Sequence, residues 1–235
     1  MLLKGAPVAQ HILDGCDKNA TMAVVSVGHD SSNDSYLKGI QKTGVNVDYI
    51  ELPEDITNDE LQNKLDSITA DGILLFKPLP KGLDPQVPKD LDGLPCTAEA
   101  CIKILDFYNI EIGGKDVCVV GRSPVVGRPV AQMLIDRNAT VTVCHSKTKD
   151  IDAHIKRADI VIVATGTPRK FKNFSAGQVV VDAGINWDGK LCGDVDFEAA
   201  EPVVDSITPV PGGVGPVTTA VLIEHLSQMY QACHE

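Results

Sequence analysis

The sequence has no excess of positive charge. Its 21 Lys and Arg face 32 Asp and Glu, a net charge of −11 at pH 7. That balance excludes a general binder of nucleic acid, which needs a basic footprint, though not a small anionic ligand at a local basic spot. No apolar run approaches the roughly 18 residues of a membrane span, so no membrane partner is expected. The start, MLLKGAPVAQHILDG, lacks the basic, apolar and cleavage-site succession of a signal peptide, and a cytoplasmic location follows as the expectation. No CxxC pair is present. The seven cysteines (Cys16, Cys96, Cys101, Cys118, Cys144, Cys192 and Cys233) are odd in number and sit mostly in apolar runs. They read as buried, reduced thiols, with no metal site expected. Internal repeats and low-complexity tracts are also missing. What remains is a chain of 235 residues, 43% hydrophobic, long enough for one large or two small globular domains.

Strand and helix patterns alternate along it. MAVVSVG (22–28), VDYIELP (47–53) and GILLFKP (72–78) are short apolar or β-branched runs ending in Gly or Pro, and read as strands. Between the last two, Thr57 and Glu60 form a capping-box pattern, followed by Leu61, Leu65 and Ile68 at helical spacing. A second series opens near Thr97 with a helix over TAEACIKILDFY. Five strands are expected after it, at 115–121, 139–144, 159–166, 178–184 and 205–210, with helices after the first three. Near-continuous apolar strands suit a parallel sheet covered on both faces. The fold class expected is α/β, a Rossmann-like doubly wound domain plus a smaller α/β N-terminal domain. The turn-rich DGLPCT marks the boundary, giving domains of 1–95 and 96–216, with a final helix, 217–235, completing the first.

VCVVGRSPVVGRPVAQML has the strand-turn-helix order of a dinucleotide site. Gly121 ends the strand and permits a tight turn. Gly127 opens the helix, where free N–H groups and the helix dipole favour pyrophosphate. The spacing is not GxGxxG, and by itself it also fits a structural βα turn. The next strand end sharpens the reading. An NAD site carries an acid there for the ribose 2′-hydroxyl; here VCHSKTKD has none before Asp150. Ser146, the neighbouring lysines and Arg122 suit a 2′-phosphate instead, so NADP is the expected cofactor. Two more glycine turns, at Gly166 and Gly184, end strands on the same side and suit the nicotinamide half. The segment ITPVPGGVGPVT, with three prolines and three glycines between Pro209 and Val217, reads as a surface built of backbone.

GRSPVVGRP, CHSKT, DAGIN, GDVDF and TPVPGGVGPVT, in this order, resemble the methylenetetrahydrofolate dehydrogenase/cyclohydrolase family of the bifunctional FolD type. The resemblance runs through nearly all of 97–235 and, less completely, through KGAPVAQ, AVVSVG, ELPE, DGILLFKPLP and KDLDG. It implies NADP-dependent oxidation of 5,10-methylenetetrahydrofolate to the methenyl compound, then hydrolysis to 10-formyltetrahydrofolate. It also implies a homodimer and a folate cleft between the two domains. Arg122 and Ser146 fall on positions that meet the 2′-phosphate. Gly121, Ser123 and Ile185 fall on other cofactor positions. Tyr36 matches the tyrosine beside the pterin, and Asp92 the aspartate that holds its amino and ring nitrogens. Pro211, Gly212 and Gly213 are assigned to the folate's surroundings.

The sequence departs from the family at the lysine expected four residues after the tyrosine, where Ile40 stands. Phe76 replaces the glutamine of the QLPLP motif. The missing lysine manages protons and water in the cyclohydrolase step, so Lys77 or Lys42 must replace it if that activity is kept. A dehydrogenase-only enzyme and a non-catalytic NADP-binding module are the alternatives. The chain is also shorter than the family pattern at several internal loops.

Overall fold

The structure, a computed structural model, describes residues 1–234, less the side chains of residues 31 and 32. Two compact units divide it: residues 11–94 with the chain from Leu222 on, and residues 1–10 with residues 95–221.

The first unit follows α1 (Gly5–Asp14), of which only the last turn belongs to it. It holds β1 (Thr21–Val27), α2 (Ser31–Gln41), β2 (Asn46–Leu52), α3 (Asn58–Asp66) and β3 (Gly72–Leu75). The three strands form a parallel sheet in the order β2-β1-β3. Thr57 caps α3 as its sequence pattern predicts. Its hydroxyl accepts the Glu60 N–H, and the Glu60 carboxylate accepts the Thr57 N–H at 2.9 Å. A cap of this kind contributes about 1 kcal/mol. The helix then lays Leu61 and Leu65, both fully buried, against Ala23, Val25, Ile73 and Leu75 of the sheet. Burial of each such leucine contributes roughly 1.5–3 kcal/mol. On β3, a side chain at Gly72 would meet Leu91 and Leu226 at 2.7 and 2.8 Å, so the last helix lies close on this strand.

The second unit opens with α4 (Cys96–Phe107). Then come β4 (Asp116–Val120), α5 (Gly127–Asp136), β5 (Thr140–Cys144), α6 (Ile151–Arg157), β6 (Ile160–Val163) and β7 (Val179–Asp182). A hairpin, β8 (Asn186–Asp188) with β9 (Lys190–Cys192), precedes a short α7 (Phe197–Ala200) and β10 (Ser206–Ile207). The helix α8 (Val214–His234) starts in this unit. The five-stranded sheet is wholly parallel, in the order β10-β7-β6-β4-β5. The chain starts at β4, steps out to β5, then crosses to β6 and runs on. The topological switch point therefore lies between β4 and β6. Valines and isoleucines fill β4, β6 and β7, as a sheet covered on both faces requires. The α/β, doubly wound expectation is met.

The first ten residues pack with this unit. Leu3 N–H donates to Ile207 O, Ile207 N–H to Met1 O and Gly5 N–H to Gly212 O, at 2.8–3.0 Å.

Three local expectations are corrected. No helix follows β6. Pro168, Arg169 at φ 47° and Gly177 at φ 84° break the segment, and Phe171 bonds instead to Asp194 and Asp196. The strand expected over 205–210 stops at Ile207: Thr208 N–H still reaches Val180 O, but Pro209 brings no donor. The last helix begins at Val214, three residues before the expected start. The hairpin β8–β9 and the helices α1 and α7 had no reading from sequence.

Candidate functional site

The parallel sheet of the second unit sets its functional loops in a row, because strands that run one way end on one edge. Along that edge the order is the β5 loop with Ser146, the β4 loop with Gly121, Arg122, Ser123 and Gly127, the β6 loop with Gly166, the β7 loop with Ile185, and the β10 loop with Pro211, Gly212 and Gly213. Gly121 N–H donates to Cys144 O at 2.9 Å and Ala164 N–H to Val120 O at 2.8 Å, which locks neighbouring loops together. From β5 to β7 the row spans three strand steps, roughly 14 Å, a reach suited to an extended dinucleotide.

Gly121 stands at the switch point with φ 128°, a conformation that L side chains rarely adopt. A Cβ there would lie 2.1 Å from Ala164 O on the next strand. A Cβ on Gly127 would lie 2.4 Å from Gly121 O. Both glycines are sterically required, and the bare backbone they leave is a cradle at the start of α5 where a pyrophosphate fits. Ser123 Oγ accepts the N–H groups of Val126 at 3.1 Å and Gly127 at 3.4 Å, capping that turn while staying exposed. Arg122 and Ser146 are exposed on adjacent strand ends. The β5 loop is held tight: His145 N–H donates to Thr148 Oγ1 at 2.9 Å, Thr148 N–H to His145 O at 2.8 Å, and Lys147 N–H to His145 Nδ1 at 3.1 Å. The residues present therefore fit an NADP molecule.

Under the β6 and β7 loops lie two buried acids. Asp182 Oδ1 accepts Gly184 N–H at 2.9 Å and Asp194 N–H at 3.1 Å, and its Oδ2 accepts Val195 N–H at 2.9 Å. Burial pushes the Asp182 carboxyl up to about 6. The three N–H donors oppose the rise and the neighbouring Asp194 charge adds to it. Asp194 in turn bonds the 165–167 loop and Asn186. Both acids lie inside the DAGIN and GDVDF motifs, but the sequence alone carries no expectation for Asp194. The available signal was a pair of Gly–Asp neighbours, DAG and GD, in apolar surroundings.

In the first unit, the structure brings together Tyr36, Phe76, Lys77 and Asp92. The Tyr36 and Phe76 rings lie 5.9 Å apart at 33°. Lys77 Nζ is 2.7 Å from Asp92 Oδ2, with the two side chains 57% and 41% exposed. Hydrogen bonding to Asp92 raises the Lys77 pKa, against some desolvation, and the charges of Asp92 and Asp90 add to the rise. Ile40 is fully buried, and so serves the core. Lys42 lies exposed one residue past the end of α2 and joins neither pair. Six residues from Tyr36, it falls about 240° around the helix axis from it.

Five cysteines are buried, Cys16 is partly so and Cys233 is exposed; none of the seven is in a disulfide. Burial pushes the thiols of Cys101 and Cys118 up to about 12, which makes poor nucleophiles. Among the described residues no cluster of His, Cys, Asp and Glu could hold a metal ion, and no helix is long and apolar enough to cross a membrane.

A doubly wound parallel sheet with a glycine cradle at its switch point and cationic and hydroxyl side chains on the next loop defines a dinucleotide-binding α/β protein. Residues 95–234 match the family described as tetrahydrofolate dehydrogenase/cyclohydrolase, NAD(P)-binding domain. A bifunctional protein FolD of Alkaliphilus metalliredigens is 41% identical, with 96% of this chain and 95% of that protein covered. The chain belongs to the tetrahydrofolate dehydrogenase/cyclohydrolase family. Among solved structures, the bifunctional FolD of Campylobacter jejuni is 34% identical and superposes with a TM-score of 0.88 over 99% of both chains. A Trypanosoma brucei FolD, solved with NADP and an inhibitor, is 27% identical, with a TM-score of 0.87 over 100% of this chain and 98% of that one. The alignment with the Alkaliphilus protein runs over 271 positions, more than the 235 residues of this chain, so that relative carries internal segments without counterparts here.

Proposed function

We propose that this protein oxidises 5,10-methylenetetrahydrofolate to 5,10-methenyltetrahydrofolate with NADP and then hydrolyses the product to 10-formyltetrahydrofolate. The observation that carries the reading is the strand-end row, from Ser146 through the Gly121–Gly127 cradle to the β6 and β7 loops. When bound there, NADP supplies the hydride acceptor. The chain's task in that step is positioning, and no protein base or metal is needed for it. Arg122 and Ser146 hold the 2′-phosphate by charge-assisted bonds. Gly121, Ser123 and Gly127 present backbone and hydroxyl to the pyrophosphate. Gly166 and Ile185 border the nicotinamide half. Pro211, Gly212 and Gly213 offer backbone to the folate.

On the folate side, the Tyr36 ring, backed by Phe76, lies along the pterin, and Asp92 accepts its amino and ring N–H groups. The second step needs water added to a cationic methenyl carbon and a proton removed. We assign that proton to Lys77, with Lys42 as the alternative. Unliganded, Lys77 is held protonated by Asp92. Pterin donors that take over the Asp92 carboxylate release the lysine, and the substrate's positive charge then lowers its pKa toward that of a useful base.

A homodimer and a cytoplasmic location complete the reading. On the β8–β9 hairpin, register partners Trp187 and Leu191 are 77% and 39% exposed, an apolar pair with no cover in the single chain. Seven cysteines outside any disulfide suit a reducing compartment.

A two-step spectroscopic assay with NADP and NAD in parallel tests the function. The expected result is methenyl absorbance that rises with NADP and then decays to the formyl product. Absence of an NADP-dependent rise would overturn it; a rise without decay would remove the hydrolytic step.

A further inference from the structure

Asp194 is fully buried, yet almost everything it binds lies on a loop at the surface. Its Oδ2 accepts the N–H and Oγ1–H of Thr165 and, at 3.0 Å, the N–H of Gly166. Its Oδ1 accepts the N–H of Thr167 at 2.9 Å and Asn186 Nδ2 at 2.8 Å. Five donors saturate a carboxylate that offers about four lone-pair sites. Thr165 and Gly166 are exposed, so the bonds shape an outer face, not a core. The acid is itself held from below, since Asp182 accepts the N–H groups on either side of it, those of Asp194 and Val195.

The neighbouring glycines show how fully this space is used. A Cβ on Gly184 would sit 2.3 Å from Asp194 Oδ1, and one on Gly193 would sit 1.9 Å from Asp182 Oδ2. The two carboxylates fill the places where those side chains would stand. Strand ends β6 and β7 are thereby tied through two charges in series: Asp182 fixes the 193–195 segment, and Asp194 fixes residues 165–167 and Asn186.

We propose that Asp194 is a positioning residue for NADP. It presets the 165–167 loop and Asn186 as one rigid surface for the nicotinamide half of the cofactor, while Asp182 sets Asp194. The proposal rests on the reading that NADP lies along this edge. Because the surface is preset, binding does not have to order two loops, and the benefit falls on cofactor affinity and not on the folate.

Asp194→Asn tests it. The amide keeps the shape but turns an NH2 group toward N–H donors, leaving at least two of the five unaccepted. The Kd and KM for NADP should rise at least about tenfold. The KM for the folate should stay within about twofold, and the increase in thermal midpoint given by NADP at about 100 times the wild-type Kd should fall to about half. An unchanged NADP Kd overturns the proposal, as does an equal rise in both KM values, which marks a merely structural role. Asn186→Ala removes a single bond and keeps the test open if Asp194→Asn does not fold. Its NADP Kd should rise about threefold with the cofactor-free midpoint unchanged; unchanged affinity again overturns the idea. Wild-type protein whose midpoint ignores NADP removes the cofactor reading and the proposal together. If wild type responds and Asp194→Asn responds equally, only the proposal is removed.

Discussion

Under the proposed assignment, replacing Lys77 by methionine should separate the two activities, because the two roles given to its ammonium differ in size. As a partner of Asp92 it belongs to a half-exposed ion pair, 2.7 Å long with side chains 57% and 41% open to solvent. Such pairs contribute at most about 1 kcal/mol to stability. The expected fall in Tm is therefore roughly 2–4 °C. As the group that moves the proton in hydrolysis, it should contribute about 10²–10⁴-fold in rate. That is roughly 3–5 kcal/mol of barrier. The catalytic effect exceeds the structural one several-fold, so a folded, measurable enzyme remains. Hydrolysis is followed as loss of methenyl absorbance from added methenyltetrahydrofolate, and oxidation as NADPH formation from the methylene compound. Lys77→Met should lose at least about 100-fold in hydrolytic kcat while oxidation changes only about threefold or less. If hydrolysis stays within about threefold of wild type, the assignment is wrong. If Lys42→Met then abolishes it, the proton belongs to Lys42.

On the cofactor side, Arg122→Ala should raise the KM for NADP about 10–100-fold and leave that for NAD nearly unchanged, the loss of one charge-assisted bond to a 2′-phosphate; parallel loss with both cofactors would refute the phosphate contact. Gly121→Ala puts a methyl group 2.1 Å from Ala164 O at φ 128°, and should cost at least about 3 kcal/mol in urea unfolding together with NADP binding. If the proposed homodimer forms through the β8–β9 hairpin, Trp187→Ser should sediment as a monomer where wild type sediments as a dimer, and an unchanged mass would refute that interface. Asp182 gives a pH signature. Its folded pKa, near 6, lies above the unfolded value of about 3.9, so the native state holds the proton longer. Its contribution is intact well below pH 4, has fallen by roughly 2 kcal/mol at pH 6 and by roughly 3 kcal/mol at pH 7. Glu60 and Asp71, with lowered pKa values, slope the other way, so the comparison must be with Asp182→Asn. Wild-type stability relative to that variant should decline between pH 4 and 6, and a flat difference would show that the burial is compensated.

The second unit was legible in sequence where local chemistry fixes geometry. Valine and isoleucine runs ending in glycine gave the strands, and Gly121 and Gly127 marked a turn that no side chain can enter. The hairpin β8–β9 escaped because each strand has three residues, too few for a period to show. The missing helix after β6 escaped because its backbone partners, at Asp194 and Asp196, lie over twenty residues on. Asp194 is the same case in the functional site. An acid between glycine and valine looks like a turn former, and only tertiary packing shows it collecting donors from two strand ends.

In the first unit, a three-residue difference in strand length decides where Lys77 points. With a strand running through 78, the pleat would send Phe76 and Lys77 to opposite faces, and a lysine could not serve a site lined by the phenylalanine. In the structure β3 ends at Leu75, and its ladder closes with the bond from Phe76 N–H to Val25 O at 2.9 Å. Lys77 therefore lies outside the pleat. Phe76 turns inward against Tyr36, while the Lys77 ammonium reaches Asp92. The two departures from the family pattern then belong together. Ile40 gives its position on α2 to the core, and under the proposed assignment Lys77, one residue beyond Phe76, supplies the charge instead. Restoring the helix lysine with Ile40→Lys should therefore not rescue Lys77→Met. Its side chain would start from a fully buried position, and an unpaired ammonium there would destabilise the unit. Recovery of hydrolysis in the double variant would show that position 40 still faces the folate and that Lys77 is a bystander.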